Sequence, residues 1–139
     1  MKPSTFKDYK AKTRSGKWVT GNLVYQGIGS VINPGRAFIA DHATSFYYDP
    51  EEDKLQLGGF VEVDPRTICQ STGIVDVRGE MIYEHDIVTI VSSKKQGLPA
   101  IVRWRKRLAA FVLERNGYNY ILFDEDGETQ YERLGNYYD

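Results

Sequence analysis

Apolar and polar residues alternate with a period of two along almost the whole chain, and turn residues break the alternation at short intervals. "KWVTGNLVYQ" reads as two short strands meeting at Thr20-Gly21, and "INPG" supplies a proline and glycine in type II turn positions. "RAFIA" and "TSFYY" read as strands, "DPEEDK" as a polar turn, and "LQLGGFVEV" as a strand whose Gly58-Gly59 marks a bulge or a close backbone approach. "DPRTICQS" fits either one helical turn, with Asp64 as N-cap and Pro65 at the first helical position, or an extended connector. "GIVDVRGEMIY" has the form of a hairpin with Gly79 in the left-handed turn position. "HDIVTIVSS" is the strongest strand, and "AIVRWR", "AAFVLER", "YNYILF" and "TQYERLGNYY" continue the pattern, the middle two joined at Asn116-Gly117.

This pattern predicts a mostly β protein. An N-terminal β-region spans 1–63, and a C-terminal region, 64–139, forms a small SH3-like barrel or β-meander from five short strands between residues 86 and 135. Composition agrees: ten tyrosines and 13 glycines in 139 residues favour pleated, half-buried surfaces joined by tight turns. A single cysteine, Cys69, excludes an internal disulfide. No run approaches the length of a membrane-spanning helix and the N-terminus lacks a secretory apolar segment, so a soluble intracellular protein without membrane contact is expected.

A formal charge of −1 conceals alternating blocks. Residues 1–40 carry +6, 41–93 carry −8, 94–115 carry +6 and 116–139 carry −5. Such blocks pair across a folded sheet or between subunits. In "AIVRWRKRL", alternation places Val102 and Trp104 on one strand face and Arg103, Arg105 and Arg107 on the other, with Lys94 and Lys95 close in sequence. That row either neutralises the phosphates of a nucleic acid, with Trp104, Tyr118 and Tyr120 as stacking surfaces, or faces acidic neighbours.

Catalytic patterns are weak. Asp41-His42 and His85-Asp86 lack metal-ligand spacing, and Cys69 lacks a nucleophile motif, so both read as structural and no cofactor is implied. Gly27 and Gly29 lack the remaining parts of a phosphate loop. Asp86 is expected to pin the turn before a core strand by accepting backbone N–H bonds.

The run from Thr67 to Val91 resembles the YopX family of phage- and prophage-encoded proteins. Thr67, Gln70, Thr72-Gly73, Asp76, Gly79, Ile82-Tyr83-Glu84 and Asp86-Ile87-Val88 stand in the places of its central motif, and Leu134-Gly135-Asn136-Tyr137-Tyr138 is similar to its closing motif. Cys69, Ser71 and His85 depart from it; His85 replaces a glycine, which implies a strained backbone there. Within the resemblance Gly73, Asp76, Gly79, Tyr83 and Asp86 form a structural framework. The family has no established activity. Together, the resemblance, the absence of a catalytic constellation and the charge blocks lead to the expectation of a non-enzymatic accessory protein in the bacterial cytoplasm that binds protein partners and self-assembles. The alternative is a nucleic-acid-binding module built on Arg103, Arg105 and Arg107, and an enzyme using Cys69 or the two histidines is the third possibility.

Overall fold

The computed structural model describes residues 8–26, 35–91, 97–122 and 130–139; the side chains at 26, 41–47, 55–58 and 121 fall outside that description. The expected turns at "INPG" and "DEDGE", the Gly27-Gly29 loop, Lys94 and Lys95, and the His42 side chain therefore lie beyond the described residues. The protein is mostly β, built on two antiparallel sheets, and has no α-helix among the described residues. Asp8–Cys69 and Gln70–Asp139 form separate compact units.

In the N-terminal unit, strands β1 (Tyr9–Lys12), β2 (Trp18–Gln26), β3 (Arg36–Asp49) and β4 (Lys54–Val63) pair antiparallel in the order β4-β3-β2-β1. Tight turns join the first two and last two: Gly16 N–H donates to the Thr13 carbonyl at 2.9 Å, and Asp49 Oδ1 accepts the Glu51 N–H at 3.0 Å. Thr20-Gly21 does not divide "KWVTGNLVYQ". The segment is one strand, because Gly21 at φ 151° stays extended and the register continues from β1 partners to β3 partners. "RAFIA" and "TSFYY" likewise merge into β3, with the register shifting between Ala40 and Ser45 opposite Gly59, whose φ is 89°. A bulge absorbs the mismatch that the sequence suggested as a strand break.

Val19 and Leu23 of β2 and Ala37 and Ile39 of β3 turn inward. Ala11, Ala37, Ile39 and Val63 are buried together, with Tyr9, Val19, Leu23 and Ile68 packed around them. After β4, Pro65–Thr67 makes a single turn, of 3₁₀ type, which decides between the two alternatives open for this segment, with the Asp64 carboxylate accepting the Arg66 N–H at 3.0 Å. Thr67 Oγ1 then accepts the Lys12 N–H at 2.8 Å and donates to the Asp64 carbonyl at 2.8 Å, tying the turn to β1.

The C-terminal unit begins with a hairpin of β5 (Cys69–Val75) and β6 (Met81–Tyr83). Strands β7 (Asp86–Val91), β8 (Ala100–Arg105), β9 (Ala110–Arg115), β10 (Tyr118–Ile121) and β11 (Gln130–Asn136) follow in the order β10-β9-β8-β7-β11. This is the predicted meander with its last strand returned beside its first; β10 and β11 are its edges, so the sheet is open. Asn116 (φ 52°) and Gly117 (φ 81°) form the β9–β10 turn that their dipeptide predicts. Ile82, Val88, Val102, Leu113, Leu122 and Tyr131 make the core.

Candidate functional site

The motif residues converge on a hydrogen-bonded framework within the C-terminal unit. Asp76 directly follows β5 and is buried. Its Oδ1 accepts the N–H groups of Arg78 (2.8 Å) and Glu80 (2.9 Å), and its Oδ2 accepts the Arg133 N–H of β11 (3.2 Å). Gly79, at φ 81°, lets the chain reverse so that both turn amides point at that carboxylate. Burial opposes ionisation of Asp76, but the amides of Glu80, Arg133 and Arg78 and the nearby Arg78 charge outweigh it, so the carboxyl is held below its ordinary value. Arg78 Nη2 also donates to the Arg133 carbonyl at 2.7 Å, and Val77 N–H to the Tyr131 carbonyl at 2.8 Å.

A second knot lies at the β6–β7 turn. Asp86 is fully buried; Oδ2 accepts the Tyr83 N–H at 2.8 Å and Oδ1 accepts from Asn136 Nδ2 at 2.8 Å. Arg133 Nε lies 3.1 Å from Asp86 Oδ2 as an ion pair, outside good hydrogen-bonding geometry. The expected backbone-pinning role of Asp86 is present, with two further partners from β11. Asn136 Oδ1 accepts the Tyr138 N–H at 2.9 Å, and Asp139 Oδ2 accepts the Asn136 N–H at 2.8 Å. Gly135 sits at the β11 register shift, where an added Cβ would come within 3.1 Å of Asp139 Oδ2. The closing motif is thus the far half of the framework that the central motif begins.

His85 has a φ of 68°, the left-handed conformation that its glycine-like position implied. Its N–H donates to the Val102 carbonyl at 2.7 Å, and its ring meets Tyr138 edge-on at 5.3 Å. Burial, aided by the Arg103 charge, pushes its pKa below the ordinary 6.5 against the opposing pull of Glu84 and Asp86, so the ring stays neutral. Cys69 is fully buried rather than half-buried, its Sγ donating to the Thr67 carbonyl at 3.2 Å. Among the described residues no three His, Cys, Asp or Glu side chains gather as metal ligands.

The arginine row is shorter than alternation alone predicts. Arg103 and Arg105 lie on one face of β8, but the strand ends at Arg105 and Arg107 falls in a 3₁₀ turn, Lys106–Leu108, closed by Ala109 at φ 48°. A strand-period extrapolation fails there because the backbone leaves the extended region. Glu114 on β9, the single acid of the 94–115 block, contacts Arg105 Nη2 directly and lies 3.8 Å from Arg103 Nε. Asn119 Oδ1 accepts from Arg105 Nε at 3.3 Å, and Arg103 stacks 5.8 Å from the Tyr137 ring. Trp104 shares the Val102 face, yet Val102 is buried while Trp104 is 42% exposed and packs edge-on against Phe111 at 5.0 Å. The row therefore faces an acidic neighbour within its own sheet, one strand away.

Sequence reasoning missed an apolar groove of about 140 Å³ floored by Val88 and Leu113 and rimmed by Ile90, Leu98 and Tyr120, which are 43%, 62% and 58% exposed. Ile90 and Tyr120 fall in two separate predicted strands, and only the fold of β7, β9 and β10 brings them together with Leu98. A family model described as YopX protein matches residues 9–139. No curated protein matches the chain.

Proposed function

The chain belongs to the YopX family, and from that premise we propose that it is a non-enzymatic phage or prophage accessory protein. It works in the bacterial cytoplasm by binding protein partners, copies of itself included. The observation that carries this reading is the apolar groove of the C-terminal unit. Ile90, Leu98 and Tyr120 present exposed apolar surface around a concave floor, with Arg115 at the rim. Clustered exposed side chains of this kind, polar at the edge, mark protein-binding surfaces. The motif residues support it indirectly. Asp76, Asp86, Arg133 and Asn136 are occupied in holding the fold, and Arg103 and Arg105 are engaged with Glu114, which leaves the groove as a recognition surface among the described residues of the C-terminal unit.

The C-terminal unit belongs, on this reading, to the small-barrel class. The first and last strands of its five-stranded sheet, β7 and β11, already pair, so only a β10–β11 contact separates the open sheet from closure. The test is light scattering coupled to size exclusion at low and high salt, on wild type and Leu98→Glu. A discrete oligomer that Leu98→Glu converts to monomer is expected. A wild type that stays monomeric at micromolar concentration at both salts refutes self-assembly through this groove.

A further inference from the structure

The register of the N-terminal unit sets one face of its strands apart from the core. Val19, Leu23, Ala37, Ile39 and Val63 pack inward. The alternate positions, Lys12 opposite Trp18, Val24 opposite Phe38, and Phe60 opposite Ala40, lie on the other face. On that face Val24, Phe38 and Phe60, with Tyr25 at the edge, line an open groove of about 450 Å³. Arg36 lies over the Phe38 ring at 5.3 Å, and the buried Lys10 and the neighbouring Lys12 lie over the half-buried Trp18 ring at 4.7 and 5.3 Å.

Arg36 is shared with a second cleft of about 350 Å³, where Arg14 and Arg66 join it around Val63 and Pro65. Glu62 and Asp64 also line this cleft. Glu62 accepts from Arg36 at 2.9 and 2.6 Å and lies 4.0 Å from Arg14, while Asp64 accepts from Arg66 at 3.1 and 2.8 Å. The arginines outnumber the acids. Arg14 and Arg66, with side chains 88% and 87% exposed, are free to swing onto an incoming anion at little cost, since exposed ion pairs are weak.

We propose that this face is a binding site for single-stranded nucleic acid, with Phe38, Phe60 and Trp18 as stacking platforms and Arg14, Arg36, Arg66 and Lys12 as phosphate contacts. Aromatic rings on a sheet face beside cations are what an unpaired strand needs: every base offers a π-face, and every nucleotide a charge. Trp18 and Val24 are six residues apart on β2, about 20 Å at strand rise. A strand spans that distance and a free nucleotide does not. The +6 block at 1–40 supplies Lys12, Arg14 and Arg36, so the charge asymmetry read from the chain is used on this surface. The site is independent of the groove assigned to protein binding.

Fluorescence anisotropy of a labelled thymidine dodecamer, titrated with the full chain, tests this. Raising salt from about 50 to about 200 mM weakens binding about fiftyfold, the slope expected for roughly four phosphate contacts to a single strand. Phe60→Ala weakens it about tenfold through lost stacking. Because Phe60 is half-buried, the exposed pair Arg14→Glu/Arg66→Glu gives the same loss, with a shallower salt dependence, on a surface that does not hold the core. Retained affinity in Arg14→Glu/Arg66→Glu overturns the proposal, as does equal binding of a duplex of the same length. So does loss of binding on Arg103→Glu/Arg105→Glu with the N-terminal variants unaffected. Competition by thymidine monophosphate at the dodecamer's own concentration range would make this a nucleotide site and also overturn it.

Discussion

Replacing Asp86 by alanine removes the acceptor on which three groups from two strands depend. Tyr83 N–H and Asn136 Nδ2, both in buried residues, lose hydrogen bonds of 2.8 Å, and Arg133 Nε loses the carboxylate 3.1 Å away. Each stranded buried donor costs about 1–3 kcal/mol. Stripping the partner from a buried ion pair costs about 3–5 kcal/mol. These terms overlap, because Arg133 is not wholly enclosed and relaxes towards water, so a loss of about 4 kcal/mol is the working value. That consumes most of the stability of a unit this small. Asp86→Asn keeps the volume and one acceptor and is expected to lose about 2 kcal/mol, half that amount. The chain has two tryptophans, Trp18 in the N-terminal unit and Trp104 in the C-terminal one, so urea unfolding followed by fluorescence in a Trp18→Phe background reports the unit concerned. With a slope of about 1 kcal/mol per molar urea, the midpoint falls by several molar and Asp86→Ala is largely unfolded at the start. A loss below about 1 kcal/mol would refute the framework role.

Two further outcomes follow from the same knots. Asp76 has a depressed folded pKa, so its stabilisation is complete above its ordinary value near 3.8 and is lost as pH falls through the lower folded one. The stability gap between wild type and Asp76→Asn should therefore narrow on acidification below about pH 4, and a gap that stays constant or widens there contradicts the assignment. His85→Gly removes left-handed strain of about 1 kcal/mol but gives up the edge-on contact with Tyr138, worth about the same. Its melting temperature should thus stay close to that of wild type at neutral pH. Since the His85 pKa is lowered from 6.5, neutral His85 favours folding above that value and its protonation is penalised below it, so the variant should lose less stability than wild type as pH falls from about 6.5 to 5.

The local chemistry of the turns was legible because it depends on neighbours in sequence. Gly79 and Asn116-Gly117 occupy positive φ where only their turns require it, Asp64 caps the turn begun by Pro65, and period-two alternation places β7 to β11. His85 could be read as strained only through the family resemblance, which puts a glycine in its place. Strand breaks were harder. Thr20-Gly21 and the Ala40–Ser45 stretch look like interruptions in one dimension, yet cross-strand hydrogen bonds carry both through, one by extended glycine and the other by a bulge.

What only tertiary structure decided are the pairings across long separations. No local rule joins Asp86 to Asn136 or Asp76 to Arg133, some fifty residues apart; the return of β11 beside β7 does. The same return leaves the meander's edges apart, which alternation by itself does not specify. The arginine row met its acid because β9 registers Glu114 opposite Ile101, and it lost Arg107 because the backbone turned. The exposed groove and the aromatic face arise likewise from registers between strands. Sequence by itself fixed each strand's two faces, through the period of the pleat. Which face meets a core and which meets solvent is decided by the layer packed against it, and that is information about other parts of the chain.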